Sequence, residues 1–301
     1  MIIPPLLKQQ DKVRIIAPSG IVPDNGLVPA IKMLELWGLE VELGSYVYSK
    51  SSVFAGTDKQ RLQNFQEAIN DESVSIVLCA RGGYGLTRYI DHLDFTTLID
   101  SPKWIIGFSD ITAFHLSALK KNILSIHGPM GTSFAREGAE GSIGQLHNLL
   151  FNGTSEIEMG QLQIKLGEAQ GTLVGGNLAL LCDSIGTANE IETDNAILVL
   201  EDVGEQYYRI DRMLNQMARA GKFDKLKGLV IGGFSDLSQG IVVFSESVID
   251  IISRLTTDKI YPIAISMPIG HEPANYPFVH GAEYKLLVER EYARLELLTT
   301  L

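Results

Sequence analysis

The 301-residue sequence has few cysteines and no long apolar segment. Its two cysteines, Cys79 and Cys182, are far apart in apolar stretches, so we expect buried reduced thiols rather than a disulfide or a catalytic cysteine. No run of about 18 apolar residues, the length that spans a bilayer, is present. Residues 1–13 also lack the apolar core of a signal peptide, and the sequence therefore predicts a soluble, cytoplasmic protein.

Motifs for metals, nucleotides and nucleic acids are missing as well. There is no H-E-x-x-H or C-x-x-C and the six histidines are scattered singly, which predicts no metal. Neither G-x-G-x-x-G nor a P-loop with its lysine occurs, which argues against a nucleotide cofactor. The formal net charge is −11 and basic residues do not cluster, which argues against nucleic acid. A small ligand or a peptide is the favoured partner.

The order of apolar patterns predicts an α/β protein with two domains. The first half alternates short β-branched runs with helical periods, which is typical of a parallel sheet covered by helices. A polar, glycine-containing stretch then separates it from a second half of more mixed order. We predict an N-terminal α/β domain at 1–150, a linker at 151–170 and a C-terminal α+β domain at 171–301.

Four loops follow predicted strands, where ligands of open α/β sheets collect. They are 18–20, 80–85, 107–110 and 127–131. In the third loop, Ser109 lies at a strand-to-helix turn, the setting of a nucleophile elbow whose next amide, that of Asp110, points at a developing oxyanion, although the short pattern taken alone favours a helix cap over a nucleophile. Ser-Asp before a helix also matches a plain N-cap.

The second loop has three glycines in four positions, at 82, 83 and 85, so its backbone amides can approach a ligand closely. Three hypotheses remain open for it: a phosphate cradle, the second oxyanion donor for Ser109, and a simple tight turn.

A serine nucleophile needs a base, and the histidines are the candidates. His271 follows an apolar run on a loop bounded by glycine and proline, and it is our first choice. His127 is the second choice and His280 the third. His115 and His147 fall in helical stretches and are expected to be packed or surface residues.

The base in turn needs an orienting carboxylate. Glu201 and Asp202 come immediately after a predicted buried strand, and Glu205 is a third possibility. Glu201 has structural alternatives, since it could cap the helix that follows or pair with Arg209 or Arg212. Spacing alone does not choose among these acids.

Seven short motifs occur in order along nearly the whole chain, and together they resemble the LD-carboxypeptidase family, which also contains the microcin C immunity peptidases. The motifs are A-P-S-G at 17–20, A-R-G-G-Y-G at 80–85, G-F-S-D-I-T at 107–112, H-G-P-M at 127–130, G-G-N-L at 175–178, L-E-D-V-G-E-x-x-Y-R-I-D-R-M-L at 200–214, and P-I-G-H at 268–271.

The resemblance implies a catalytic triad of Ser109, Glu201 and His271, and it is the family that selects Glu201 over Asp202. It also implies an oxyanion hole made by the backbone N–H groups of Gly83 and Asp110. The implied fold is a flavodoxin-like or class I amidotransferase-like N-terminal layer with a smaller, swivelling β/β/α-like C-terminal domain. The site would lie across the domain interface, and the protein would be a homodimer.

The implied reaction is removal of the terminal D-alanine from a muropeptide tetrapeptide during murein recycling. The bond cut would join the L-centre of a diamino acid to D-alanine, through an acyl-enzyme on Ser109 and without a cofactor. Arg81 and Arg209 are our candidates for holding the substrate's terminal carboxylate. The alternatives are hydrolysis of an amide in a peptidyl nucleotide, as in the immunity branch, and a non-catalytic module that binds a small ligand.

Overall fold

The computed structural model describes residues 1–160, 164–241 and 243–301, and its fold is α/β. The chain forms two compact units. Unit 1 comprises Met1–Ser155, Pro273–Gly281 and Thr300–Leu301, and unit 2 comprises Glu156–Glu272 and Ala282–Thr299. Residues 161–163 of the predicted linker and residue 242 of the predicted C-terminal domain lie outside the described residues.

Strands and helices alternate through most of both units. Among the described residues, no helix is long and apolar enough to cross a membrane. In chain order the elements are β1 (Lys12–Ile16), α1 (Val28–Leu36), β2 (Glu40–Leu43), α2 (Asp58–Asn70), β3 (Val74–Cys79), α3 (Thr96–Asp100), β4 (Trp104–Gly107), α4 (Thr112–Lys120), β5 (Ser125–His127), α5 (Glu140–Asn152), β6 (Glu156–Met159), β7 (Gly167–Asn177), α6 (Leu178–Ser184), β8 (Ala196–Val203), α7 (Tyr207–Arg219), β9 (Gly228–Ser235), α8 (Val248–Leu255), β10 (Ile263–Ala264), β11 (Phe278–His280), β12 (Glu283–Val288) and β13 (Ala293–Leu297).

The sheet of unit 1 has the strand order β2-β1-β3-β4-β5-β11. Its first five strands are parallel, and β11 pairs with β5 in the antiparallel direction. The order 2-1-3-4-5 is that of flavodoxin-like folds, in which ligands bind beyond the carboxyl ends of the strands near β1 and β3. The predicted parallel α/β layer is therefore confirmed, and two of the loops that the sequence singled out lie at this switch point.

The core of unit 1 forms where the sequence predicted buried strands and one helical face. Trp104 on β4 and Phe65 on α2 are fully buried, and the Phe65 ring stacks on Phe114 of α4 at 5.1 Å. Helix α2 begins after Thr57, whose side chain accepts a hydrogen bond from the Gln60 amide while the Gln60 side chain accepts one from the Thr57 amide. This capping box satisfies two backbone donors and fixes where the helix begins.

The sheet of unit 2 is mixed, with the order β10-β9-β8-β7-β12-β13-β6. Strands β10, β9, β8 and β7 are parallel, and β12, β13 and β6 extend the sheet with antiparallel pairing. Strand β8 is buried along nearly its whole length, as expected for a central strand covered on both faces. It ends in the acidic residues that the sequence analysis proposed as catalytic.

The structure adds two features to the predicted domain organisation. Strand β6 and the start of β7 fall within 151–170, where the sequence predicts a linker, because the glycines and polar residues of β7 mark it as a loop. The segment Pro273–Gly281 belongs to unit 1, since Phe278 of β11 pairs with His127 of β5. The limits of the two domains stay a prediction.

The two cysteines are free and buried, as the sequence predicted. Burial raises the pKa of the Cys79 thiol well above its ordinary value and that of Cys182 to about 12. Both side chains are therefore thiols at neutral pH, and neither has the lowered pKa of a reactive cysteine.

His115 is buried beside the end of β4, as expected for a packed histidine on α4. Its Nε2–H donates to the carbonyl of Gly107 at 2.9 Å, and its Nδ1 accepts from the hydroxyl of Ser125 at 2.8 Å. Since both ring nitrogens are satisfied in the neutral tautomer, protonation would place a charge in the core. Burial accordingly lowers the pKa of His115 to about 4.

This lowered pKa predicts that acid destabilises unit 1. Below about pH 6.5 the unfolded chain binds a proton at His115 that the folded chain does not bind until about pH 4. As the pH falls through this window, the free energy of unfolding of the wild type should decrease by about 1.4 kcal/mol per pH unit more than that of a His115→Gln variant. Urea unfolding followed by tryptophan fluorescence measures it, because Trp37 and Trp104 both lie in unit 1.

His92 offers the control, because it is exposed in the folded chain whereas His115 is buried. A His92→Gln variant should keep the pH dependence of the wild type. Equal slopes for wild type and His115→Gln would contradict the assignment of a buried neutral His115.

Candidate active site

Ser109 occupies a tight turn between β4 and α4. The strand ends at Gly107, and a single 3-10 turn, Ser109–Ile111, leads into the helix at Thr112. Ser109 has a φ of +64°, in the left-handed region that costs a residue with a side chain about 1–2 kcal/mol. Its side chain is half-buried. This strained strand-to-helix turn is the geometry of a nucleophile elbow, which the sequence predicted in competition with a plain N-cap.

The four predicted loops approach one another at Gly82, which belongs to the glycine loop 80–85. A Cβ built on Gly82 would lie 3.0 Å from Cβ and 3.2 Å from Oγ of Ser109, and 3.3 Å from Cε of Met130. The carbonyl of Gly82 accepts a hydrogen bond from the amide of Gly20 at 2.9 Å. Loops 18–20, 80–85, 107–110 and 127–131 therefore converge in unit 1, and they can do so only because position 82 has no side chain.

Gly83 continues this close packing. Its φ is +112°, which residues with side chains rarely adopt, and a Cβ there would lie 3.3 Å from Cα of Gly20. The residue is exposed, although its neighbour Gly82 is buried. The glycine loop thus presents an accessible piece of backbone beside Ser109, as an oxyanion donor requires.

The side chain of Asp110 links two of these loops through hydrogen bonds, whereas the sequence predicted a role only for its backbone amide. Its carboxylate, 1% exposed, accepts hydrogen bonds from the hydroxyl of Ser19 at 2.5 Å and from the amide of Leu86 at 2.8 Å. Burial raises the pKa of Asp110 although these hydrogen bonds oppose the shift. Ser19 lies in the loop after β1, one of the four loops predicted to collect ligands, but no local pattern in the sequence pairs it with Asp110.

In unit 2, Glu201 and His271 are joined by a short hydrogen bond. The Nδ1 of His271 donates to Oε2 of Glu201 at 2.6 Å. A carboxylate only accepts, so Nδ1 carries the proton of this hydrogen bond. Glu201 is fully buried at the end of β8, while 14% of the His271 side chain is exposed. The pair has the form of a general base with its orienting acid.

Glycines make room for this pair. A Cβ on Gly270, whose φ is +126°, would lie 2.9 Å from both Cβ and Oε2 of Glu201. A Cβ on Gly232 would lie 3.3 Å from Cβ of Glu201 and 2.3 Å from the carbonyl oxygen of Ile269. The Gly233 amide donates to that same carbonyl at 2.8 Å, which fixes the loop carrying His271 against β9.

The other two candidate acids, Asp202 and Glu205, contact groups other than a histidine. Asp202 accepts hydrogen bonds from the side chain of Asn177 at 3.0 Å and from the amides of Ala179 and Val203 at 3.0 and 2.8 Å, so it serves the start of α6. Burial raises the pKa of Asp202 to about 6. Glu205 lies 3.7 Å from Nη1 of Arg209 on the surface of α7. Of the three candidates, Glu201 is the acid that contacts a histidine.

The second and third choices for the base lie in the core of unit 1. His127 is fully buried and stacks on Phe278 at 4.6 Å, and His280 is fully buried and stacks on His115 at 5.6 Å. Their aromatic contacts give both a structural role. Within the described ranges, we find no group of three or more His, Cys, Asp or Glu side chains placed to hold a metal ion.

Arg81 and Arg209, the candidates for carboxylate binding, are both exposed and differ in their contacts. Nη1 of Arg81 donates to the carbonyl of Ile21 at 2.8 Å, within the loop cluster around Gly82. Arg209 donates from Nε to the hydroxyl of Tyr208 at 3.3 Å and faces the carboxylate of Glu205. Arg81 therefore bonds a neutral group, whereas Arg209 already has an acidic neighbour.

Family models match both halves of the chain. A family model described as the LD-carboxypeptidase N-terminal domain matches residues 13–128, and one described as the LD-carboxypeptidase C-terminal domain matches residues 170–286. The murein tetrapeptide carboxypeptidase of Pseudomonas aeruginosa is 32% identical over 283 residues, which cover 90% of this chain and 89% of that protein.

Solved structures extend the likeness to the fold. The muramoyltetrapeptide carboxypeptidase of Oxalobacter formigenes superposes with a TM-score of 0.86 at 31% identity, covering 95% of this chain and 98% of its own. The microcin C7 self immunity protein MccF, solved in complex with glutamyl sulfamoyl guanosine, gives a TM-score of 0.89 at 17% identity with complete coverage of both chains. At that identity the second likeness concerns the fold alone.

The space at Gly270 gives a prediction about the Glu201–His271 pair. In a Gly270→Ala variant the new methyl would collide with Glu201, so the hydrogen bond between the carboxylate and Nδ1 should be lost. Proton NMR measures this directly, as loss of the low-field resonance of the His271 Nδ1 proton.

Gly186 supplies a matched control in the same unit. Its φ is +83°, and a Cβ there meets nothing within 4 Å, so Gly186→Ala also places an alanine at a positive φ but without a collision. That variant should retain the low-field resonance. Retention in Gly270→Ala would mean that Glu201 does not depend on the glycine.

Proposed function

The chain belongs to the LD-carboxypeptidase family and is a serine peptidase, and we propose that it removes the terminal D-alanine from a muropeptide tetrapeptide. The bond cleaved is the one between the L-centre of the diamino acid and D-alanine. The names of its relatives support this substrate class, because the proteins from Pseudomonas aeruginosa and Oxalobacter formigenes are both named for a murein or muramoyl tetrapeptide.

The observation that carries the proposal is the hydrogen bond from His271 to the buried Glu201. A buried carboxylate that accepts from Nδ1 orients the imidazole and stabilises the imidazolium that forms when Nε2 takes a proton. Ser109, in its strained elbow, is the nucleophile of the proposed triad. The triad takes its nucleophile from one unit and its base and acid from the other, as the family resemblance implies.

The proposed mechanism proceeds through an acyl-enzyme. His271 takes the hydroxyl proton as Oγ of Ser109 attacks the scissile carbonyl, and the N–H groups of Gly83 and Asp110 stabilise the oxyanion. The tetrahedral intermediate collapses, and His271 gives its proton to the amino group of the departing D-alanine. His271 then activates a water molecule that hydrolyses the ester, which releases the tripeptide and restores Ser109.

A carboxypeptidase also has to bind the substrate's terminal carboxylate, and we favour Arg81 over Arg209 for this role. Arg81 follows β3 at the start of the glycine loop, and its Nη1 donates to the neutral carbonyl of Ile21. Arg209 is held near Glu205, whose negative charge competes with an incoming carboxylate. Charge-assisted hydrogen bonds from a guanidinium suit a carboxylate partner.

We also propose two properties that the family resemblance implies. They are a place in murein recycling in the cytoplasm, where the substrate would be a released fragment of the cell wall, and assembly as a homodimer. Sedimentation of the purified protein measures the second, and a monomer at micromolar concentration would remove it.

The first prediction concerns the substrate and the nucleophile together. Purified protein incubated with L-Ala-D-Glu-diamino acid-D-Ala should release one alanine, measured by mass spectrometry as the tripeptide. A Ser109→Ala variant should be slower by a factor on the order of a thousand or more, because it removes the nucleophile. An unchanged rate in that variant would end the assignment of Ser109.

A peptidyl nucleotide provides the alternative substrate in the same experiment. If the wild type cleaves its amide and leaves the tetrapeptide intact, the chain is an immunity-type peptidase. Full activity after exhaustive chelation is expected for a serine mechanism, whereas loss of activity would favour a metal-dependent amidase.

The second prediction concerns Arg81. An Arg81→Gln variant should raise KM for the tetrapeptide by about 10- to 100-fold with a smaller effect on kcat, since it removes a charged contact to the carboxylate. Arg209→Gln is the matched control and should change KM by less than about threefold. The difference between Arg81→Gln and wild type should vanish for a substrate with a C-terminal amide. Equal KM values for wild type and Arg81→Gln would exclude Arg81.

A further inference from the structure

The Asp110 carboxylate connects three loops of unit 1. One oxygen, Oδ2, accepts from the hydroxyl of Ser19, in the loop after β1, and from the amide of Leu86, at the end of the glycine loop. The residue that follows Ser109 therefore holds the loop after β1 and the loop after β3 at the same point.

Burial of the Asp110 carboxylate costs free energy, because its charge is removed from water. The carboxylate is 1% exposed, and a buried charge is tolerated in a protein only when it is paired and hydrogen-bonded. Arg61 is fully buried under the same loop, where its guanidinium donates to the Gly85 carbonyl at 3.5 Å and forms an ion pair with Asp58. Its positive charge has only a small favourable effect on the Asp110 carboxylate. A serine or asparagine would fill the space without this cost, so the charge itself calls for an explanation.

The explanation we favour concerns the two oxyanion donors. The amide of Asp110 lies in the 3-10 turn of Ser109, whereas Gly83 lies in a loop between β3 and the 3-10 turn Leu86–Arg88, outside any strand or helix. The loop is tied down by the Gly20 amide at one side and by the Asp110 carboxylate at the other. Displacement by about 1 Å of a group that binds the transition state can cost about 100-fold in rate.

We propose that the Asp110 carboxylate is a positioning residue, which fixes the Gly83 amide relative to the Asp110 amide so that both reach one oxyanion. This inference rests on the proposed function, because it assumes that these amides form the oxyanion hole. It assigns to one residue two separate roles, with its backbone as a donor and its side chain as the link to the other donor.

The test compares Asp110→Asn and Ser19→Ala with wild type in the tetrapeptide assay. Asparagine keeps the shape but removes the negative charge and leaves one acceptor oxygen in place of two, which weakens the hydrogen bonds from Ser19 and Leu86. We expect kcat to fall by about 100-fold in Asp110→Asn and by about 10-fold in Ser19→Ala, with KM changed by less than about threefold in both. The double variant should be no slower than Asp110→Asn alone, because both changes break one network.

Asp94→Asn provides the control. Asp94 is an exposed acid of unit 1 that accepts from the amide and hydroxyl of Thr96 at 2.9 and 2.6 Å, so it makes similar local hydrogen bonds away from Ser109. Its kcat should equal that of the wild type. All rates are measured well below the thermal midpoint of each variant, which separates slower chemistry from loss of folded protein.

The outcomes separate this inference from the proposed function. If Ser109→Ala is inactive while folded Asp110→Asn keeps kcat within about threefold of wild type, the positioning role is wrong and the proposed function stands. A rise in KM without a fall in kcat would also overturn it. If Asp110→Asn does not fold, Ser19→Ala decides, and an unchanged kcat there rejects the inference. An active Ser109→Ala would instead overturn the proposed function.

Discussion

The candidate site of unit 1 depends on the missing side chain at Gly82. Four loops end at the same edge of a parallel sheet, and a Cβ at this position would press on Ser109 and Met130. Any larger residue would push the glycine loop away from the nucleophile turn. The flavodoxin-like strand order brings the loops to the same edge of the sheet. How closely they approach there is decided by the space available at Gly82. The strand order therefore determines where the loops meet, and the absence of a side chain at Gly82 allows their close contact.

In unit 2, glycines likewise make room for a close contact, here between Glu201 and His271. Glu201 ends a buried parallel strand, and its carboxylate meets His271 only because Gly270 and Gly232 leave space around it. Its neighbour Asp202 is also buried, but it is occupied by the amides at the start of α6. Two adjacent acids thus have separate tasks, one structural and one directed at an imidazole. Alternation along the strand explains why they cannot share a task, since successive side chains point to opposite faces.

The sequence predicted the α/β class, the central strands and the loops of the site, because these depend on local patterns. Apolar runs such as β3 and β8 are buried as predicted, and the glycine and serine motifs lie at their ends. It gave no signal for β7, whose four glycines resemble a loop, nor for β11, whose three residues join a strand formed 150 residues earlier in the chain. Such pairings are decided by tertiary contacts, which local propensity does not contain.

Side-chain partners within the site were the hardest to predict. From sequence, Ser19 and Asp110 were a turn residue and an amide, and nothing local indicates that residues 91 positions apart share a buried hydrogen bond. Glu201 and His271 were candidates by position, but choosing Glu201 over Asp202 required either the family or the structure. The strained φ of Ser109 is a further case, because strain at a non-glycine residue persists only where its surroundings over-determine it. The same buried contacts that escape sequence patterns are therefore the ones that hold Ser109 in an unfavourable backbone conformation.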